Sequence, residues 1–153
     1  MQKTLTDAHA LFTQHLKDSG KAHATVIAYS KDIEQLVEFV GKKGKGTIDE
    51  VSDTDINEFK ELLKKQRYTG KSISRKINSI KAFFRYCIGQ GMINDNPAEV
   101  ITHPKYELTP PRVLSRIEYR ALRDACRGDA RMYAVVELLL QTGMRISELA
   151  ALQ

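Results

Sequence analysis

Arg145 is the residue of this chain whose setting speaks most clearly of chemistry. Upstream of it, Leu138-Leu139-Leu140-Gln141-Thr142 ends an apolar helix at Gly143, a residue free to take the left-handed conformation that closes a helix. Downstream, Ile146, Leu149 and Leu152 share one face of a new helix, with Ser147 and Glu148 in its first turn. A core between two buried helices has no use for a guanidinium at that corner. A phosphate does: the planar fork matches two of its oxygens, and the helix N-terminus adds its own positive end. Glu148, one helical turn on, is placed to orient Arg145 or a neighbouring side chain. It serves equally as a first-turn acid that complements the helix dipole.

A second group of candidates is cationic. From Lys60 to Arg85 the chain carries Lys60, Lys64, Lys65, Arg67, Lys71, Arg75, Lys76, Lys81 and Arg85 against the single acid Glu61. Ser72 opens a long helix here, and Arg75, Lys76, Asn78, Ser79 and Lys81 lie off its Ile73/Ile77/Ile80/Phe84 stripe, on expected surface faces. A helix with an apolar back and an Arg/Lys/Asn/Ser front can enter a major groove and combine phosphate with base-edge contacts. An ordinary solvated face has similar residues, but the scarcity of compensating acids favours a polyanion. An earlier helix offers a weaker polar face of Thr25, Ala28, Lys31, Asp32 and Gln35, and Tyr29 suits packing or a DNA-facing role.

The whole chain agrees with that sign of charge. Its 153 residues carry a formal net charge of +5, enough length for one domain or a small domain with part of a second. No apolar run is long enough to span a bilayer, and Met1–Asp7 lacks the apolar core of a signal peptide. Cys87 and Cys126 have no metal-ligand spacing and sit among helical apolar residues, as reduced thiols of a cytoplasmic protein do. His9, His15, His23 and His103 are scattered. No metal site is expected.

Helical elements must position these groups. The first runs from Thr4 or Thr6 to Lys17, with Leu5, Ala8, Leu11, Phe12 and Leu16 on one stripe. The second opens near Thr25 and reaches Val40, with Val26, Tyr29, Ile33, Leu36, Val37 and Val40 inward. Gly41–Gly46 reads as a flexible, solvated basic turn. Asp53 or Thr54 caps a third helix to Lys65, apolar at Ile56, Phe59, Leu62 and Leu63. The fourth, capped by Ser72, reaches Gln90 with Ile73, Ile77, Ile80, Phe84, Cys87 and Ile88 inward and Phe83 beside them. A short turn from Asn94 to Val100 follows. These elements make a bundle over residues 1–101. Three of the four prolines fall in the aperiodic stretch 102–114, a semi-rigid linker. Beyond it, 115–153 holds a helix opened by the capping box Ser115-Arg116-Ile117-Glu118, and another from Ala130 to Thr142. The latter is apolar on most faces and expected to be buried on all sides.

The corner at Thr142-Gly143-Met144-Arg145-Ile146-Ser147-Glu148-Leu149 resembles the first catalytic block of the tyrosine recombinases, the phage-integrase family that includes Xer-type enzymes. Further words match in order: Thr25-Val26-Ile27-Ala28-Tyr29-Ser30-Lys31-Asp32, Ile77-Asn78-Ser79-Ile80-Lys81-Ala82-Phe83-Phe84-Arg85-Tyr86, Gly91-Met92-Ile93-Asn94-Asp95-Asn96-Pro97-Ala98, His103-Pro104-Lys105 and Val113-Leu114-Ser115-Arg116-Ile117-Glu118. Together they cover nearly the whole chain.

The resemblance implies an all-α fold: a four-helix SAM-like core-binding domain, a Pro-rich linker, and the first helices of a truncated catalytic domain. It implies double-stranded DNA as partner, gripped by the second and fourth helices, with other recombinase protomers in the full-length parent and no membrane. In the family, a tyrosine attacks a phosphodiester to give a 3′-phosphotyrosyl link, with neither metal nor nucleotide cofactor. Cationic side chains neutralise the phosphorane-like transition state, and Arg145 would be the first of them. The family's later lysine, His-x-x-Arg block and nucleophilic tyrosine find no counterpart in these residues, and none of the six tyrosines has a nucleophile-like context. The chain, a recombinase fragment or a shortened form, is therefore expected to bind DNA without cleaving or joining it. Its last helices are expected to expose apolar surface and to self-associate. Two alternatives stay open: a regulator whose helix–turn–helix begins at Ile146, and a helical protein-interaction module that meets an acidic partner.

Overall fold

The computed structural model describes residues 3–107 and 110–152; Leu108 and Thr109 of the expected linker, with Met1, Gln2 and Gln153, lie outside the described residues. Every regular element among them is helical: α1 (Leu5–Asp18), α2 (His23–Gly41), a 3-10 turn at Ile48–Glu50, α3 (Asp53–Lys65), α4 (Gly70–Gly89), α5 (Arg116–Ala125), α6 (Ala130–Thr142) and α7 (Ile146–Ala150). A lone antiparallel bridge joins Thr4 to Thr47. Two units divide the chain, Met1–Glu107 and Leu108–Gln153, so that the expected linker is split and its first residues go with the bundle.

In the first unit, the starts of α1, α3 and α4 are each set by a hydroxyl that accepts an otherwise unpaired backbone N–H. Thr4 caps α1 by accepting from Asp7 N at 3.1 Å. Ser52, rather than Asp53 or Thr54, caps α3 in a reciprocal box with Asp55. Thr69, rather than Ser72, caps α4, which therefore begins at Gly70 and gains most of a turn. α2 begins at His23, two residues earlier than expected, with no side-chain cap.

The inward stripes meet as their spacing predicts, α1 on α2 and α2 on α4, and α3 closes the bundle against both α2 and α4. Phe83 is fully buried, edge-on to Phe12 and to Phe84 with ring centroids 5.4 Å and 5.2 Å apart. Two expected core residues are not in it: Leu11 and Ile88 lie at the margins of their stripes and are exposed. Ala98 and Ile101 are buried, so the short turn after α4 caps the core rather than trailing from it. The chain then stays on the bundle: His103 Nδ1 lies 2.9 Å from Ser74 Oγ, and Lys60 Nζ reaches Thr102 O at 3.4 Å.

The basic turn before α3 is not the free loop that its glycines suggest. Lys43 donates to Asp55 at 2.6 Å and to Glu58 at 2.8 Å, and Lys45 donates to the other oxygen of Asp55. Asp55 is buried, which would push its carboxyl up. The bonds from Lys43, Lys45 and Ser52 outweigh burial and hold it well below the usual carboxylate range.

The second unit is stapled locally but encloses little. Ser115 and Glu118 form the expected capping box, and the backbone N–H of Ser115 followed by Arg112 holds the Glu118 carboxyl below its ordinary value. Asp129 caps α6, and Gly143 ends it at φ +66°. The expectation that α6 is buried on all sides fails: none of its residues is buried, and Met132 and Leu138 are exposed. Three short helices have too little interior to cover a helix that is apolar all round.

Candidate nucleic-acid interface

The basic window folds onto α4 and is organised from below by an acid of α2. Asp32 is 1% exposed, and its carboxylate accepts four hydrogen bonds from α4. Arg75 Nη1 and Nη2 donate at 2.5 Å and 3.0 Å, Lys76 Nζ at 2.9 Å and Ser79 Oγ at 2.7 Å. Lys76 also donates to Gln35 Oε1 at 2.6 Å, and its ammonium stands 5.2 Å from the centroid of the Tyr68 ring.

Two sequence expectations are corrected here. Lys76 and Ser79, placed on the surface front of α4, are buried, at 4% and 0% exposure. Neither can face a groove. Both are spent instead on Asp32, an acid expected on a polar face and found buried. The signal that locates Asp32 was present: Tyr29, Asp32, Ile33 and Leu36 follow helical spacing, so the acid falls within the inward stripe. An acid there requires cations and donors opposite; Arg75 and Lys76 supply the charge at i and i+1, and the Ser79 hydroxyl adds a neutral donor at i+4.

What remains at the surface is a narrower cationic site. Arg75 keeps about half of its side chain exposed, at 47%, while its guanidinium is fixed through two end nitrogens. Tyr29, Lys71, Ser72, Ser74, Arg75 and Asn78, with Tyr106 from beyond the bundle, line an open depression of about 410 Å³. Lys71 and Ser72 lie in the first turn of α4, a long helix whose N-terminus adds positive potential. The structure thus brings together Tyr29, Lys71, Ser72, Arg75 and Asn78. Thr25 and Lys31 share α2 with Tyr29 but do not line the depression. Lys81, further along α4, is half-buried and donates to Glu99 O at 3.3 Å. Sequence reasoning missed Tyr106, whose only signal was an aromatic in a proline-rich stretch.

Arg67 adds an exposed cation at a strained position. It is the one non-glycine residue with positive φ among the described residues, at +61°, and it ends α3 where glycine is the easier choice.

Arg145 and Glu148 belong to the second unit. Arg145 is the N-cap of α7, its side chain 81% exposed. Its backbone N–H donates to Glu148 Oε2 at 2.7 Å and its Nη1 to Oε1 at 3.0 Å. Glu148 therefore both caps the helix and orients the guanidinium. The expected setting between buried helices is not found, since nothing in α6 or α7 is buried.

Among the described residues, no three His, Cys, Asp or Glu side chains group as metal ligands do, and no helix is long and apolar enough to cross a membrane. Cys87 and Cys126 are free thiols.

The first unit is a helical domain whose cationic face is braced from within by a buried carboxylate. Residues 10–91 match the family described as "Phage integrase, N-terminal SAM-like domain". The chain is 34% identical to a tyrosine recombinase XerC of Roseiflexus sp. (strain RS-1), over 97% of this chain and 49% of that protein. A tyrosine recombinase of Thermosipho africanus is 36% identical over 84% of the chain and 47% of its own length. Among solved structures, a lambda integrase dimer bound to a COC' core site aligns with a TM-score of 0.75 at 19% identity, covering 99% of this chain and 42% of that one. The Tn1549 transposon integrase in complex with transposon right end DNA aligns at 0.69 and 25% identity, covering 99% and 48%. The chain belongs to the phage-integrase family of tyrosine recombinases. It spans about half the length of the curated relatives it matches.

Proposed function

We propose that this chain is the DNA-gripping portion of a site-specific tyrosine recombinase. The first unit binds double-stranded DNA through α4 and the adjoining side of α2, with Lys71, Ser72, Arg75 and Asn78 on phosphates and base edges and Tyr29 beside them. Thr25, Lys31 and Lys81 contribute at the margins. Lys76 and Ser79 act from within, on the Asp32 carboxylate that holds Arg75. In the complete enzyme, Arg145 neutralises the scissile phosphate with Glu148 as its orienting partner. Strand cleavage and rejoining there proceed through a 3′-phosphotyrosyl intermediate, among other recombinase protomers and in the cytoplasm. Residues 1–101 form the core-binding domain, 102–114 the linker and 115–153 the start of the catalytic domain.

The observation that carries this reading is the group around Asp32. One buried carboxylate faces two cations, so the group holds an excess positive charge, and Arg75 presents it to solvent. A phosphate completes the balance.

Band shifts with duplex DNA over a range of salt test it. Binding should fall steeply as salt rises, Arg75→Ala should weaken it and Arg145→Ala should barely alter it. A shallow salt dependence, or equal affinity for heparin and duplex, would argue for a general polyanion binder instead.

A further inference from the structure

Tyr106 lies outside the helices and beyond the segment that resembles a core-binding domain, yet it sits at the cationic depression. Two features hold it there. His103 Nδ1 and Ser74 Oγ, 2.9 Å apart, tie the segment to the second turn of α4. Three residues on, the Tyr106 side chain is pressed against the first residue of that helix, Gly70. A Cβ on Gly70 would stand 2.8 Å from Tyr106 Cβ, closer than side chains tolerate. Gly70 is therefore the vacancy that lets this tyrosine approach. Its φ is not positive, so its own conformation does not call for glycine. Seated so, Tyr106 keeps 41% of its surface exposed and lines the depression with Tyr29, Lys71, Arg75 and Asn78.

An exposed aromatic ring beside two cations one helical turn apart has the chemistry of a nucleic-acid backbone contact. The cations hold phosphates, and the ring covers the apolar face of the deoxyribose between them. We propose that Tyr106 is a DNA-contacting residue, seated by Gly70, which carries the duplex interface beyond α2 and α4 into the segment that follows the bundle. The proposal rests on the DNA-binding reading above.

The test uses the whole chain, a fluorescein-labelled duplex of mixed sequence and anisotropy at fixed salt. Tyr106→Ala should weaken binding about fivefold or more, a loss of the size one aromatic contact supplies. Tyr106→Phe should bind nearly as wild type, because the ring rather than the hydroxyl makes the contact. Gly70→Ala removes no DNA-facing atom and favours the helix, yet should weaken binding by displacing the ring, with the thermal midpoint unchanged or raised. In the double variant Gly70→Ala/Tyr106→Ala, affinity should match that of Tyr106→Ala alone. If Arg75→Ala weakens binding while Tyr106→Ala does not, Tyr106 has no part in the interface and the proposal is overturned with the DNA-binding reading intact. Should neither substitution matter, both fall. Additive losses in the double variant would show that Gly70 acts through the helix rather than through Tyr106, and would overturn its seating role.

Discussion

Asp32 in α2 holds both end nitrogens of the Arg75 guanidinium in α4, at 2.5 Å and 3.0 Å, and does so from a fully buried position. The same two oxygens also accept from Lys76 and Ser79. One anion thus fixes the spacing of two helices and the orientation of the cation that faces outward.

Replacing Asp32 with Asn should cost roughly 3 kcal/mol, because it strands the buried ammonium of Lys76 without a counter-charge. Adding Lys76→Met should recover most of that loss, since the uncompensated charge is then gone. Urea denaturation of the two variants checks this. A double variant as unstable as the single one would mean that the cost lies elsewhere in the network.

Arg75 and Lys76 are neighbours with opposite fates, and DNA binding should separate them. Arg75→Ala is expected to reduce the slope of log affinity against log salt by about 1, the share of one phosphate contact. Lys76→Met should leave that slope unchanged, because its ammonium is buried. A lower slope for Lys76→Met would mean that the ammonium reaches the phosphates after all.

Asp55 makes stability depend on pH at the acid end. Its folded carboxyl lies below the unfolded value, so the unfolded chain takes up the proton first as pH falls. The stabilisation is complete above the unfolded value of about 4 and drains away progressively below it. Asp55→Asn should lower stability at neutral pH by roughly 2 kcal/mol and flatten the acid limb of the profile. Chemical denaturation at a series of pH values would show it; parallel acid limbs for wild type and variant would rule the residue out as their source.

The two cysteines should react at very different rates. Burial pushes the Cys87 thiol up to about 12, so both access and thiolate are lacking, whereas Cys126 is only half-buried. Maleimide at neutral pH should therefore label Cys126 first in the native protein, and Cys87 only after unfolding. Peptide mapping of the labelled chain distinguishes the two.

Much of this architecture was written in local terms. Apolar spacing fixed where the helices lie. Ser115 with Glu118 started α5 and Gly143 ended α6, because caps and left-handed turns depend on residues within one helical turn. The basic window and the ordered words of the phage-integrase pattern were equally legible, since composition and order need no third dimension. Burial of polar side chains was not. Lys76, Ser79 and Asp32 sit at angles that a single helix leaves undecided, and each was drawn inward by a partner more than forty positions away. Tyr106 reaches the cationic depression through a missing Cβ at Gly70, and α6 stays open for want of neighbours. Periodicity tells which way a residue points along its own helix. Whether that direction meets water, a counter-charge or another helix is decided when the helices pack, because only then is the price of dehydrating a charge weighed against the bond that replaces the water.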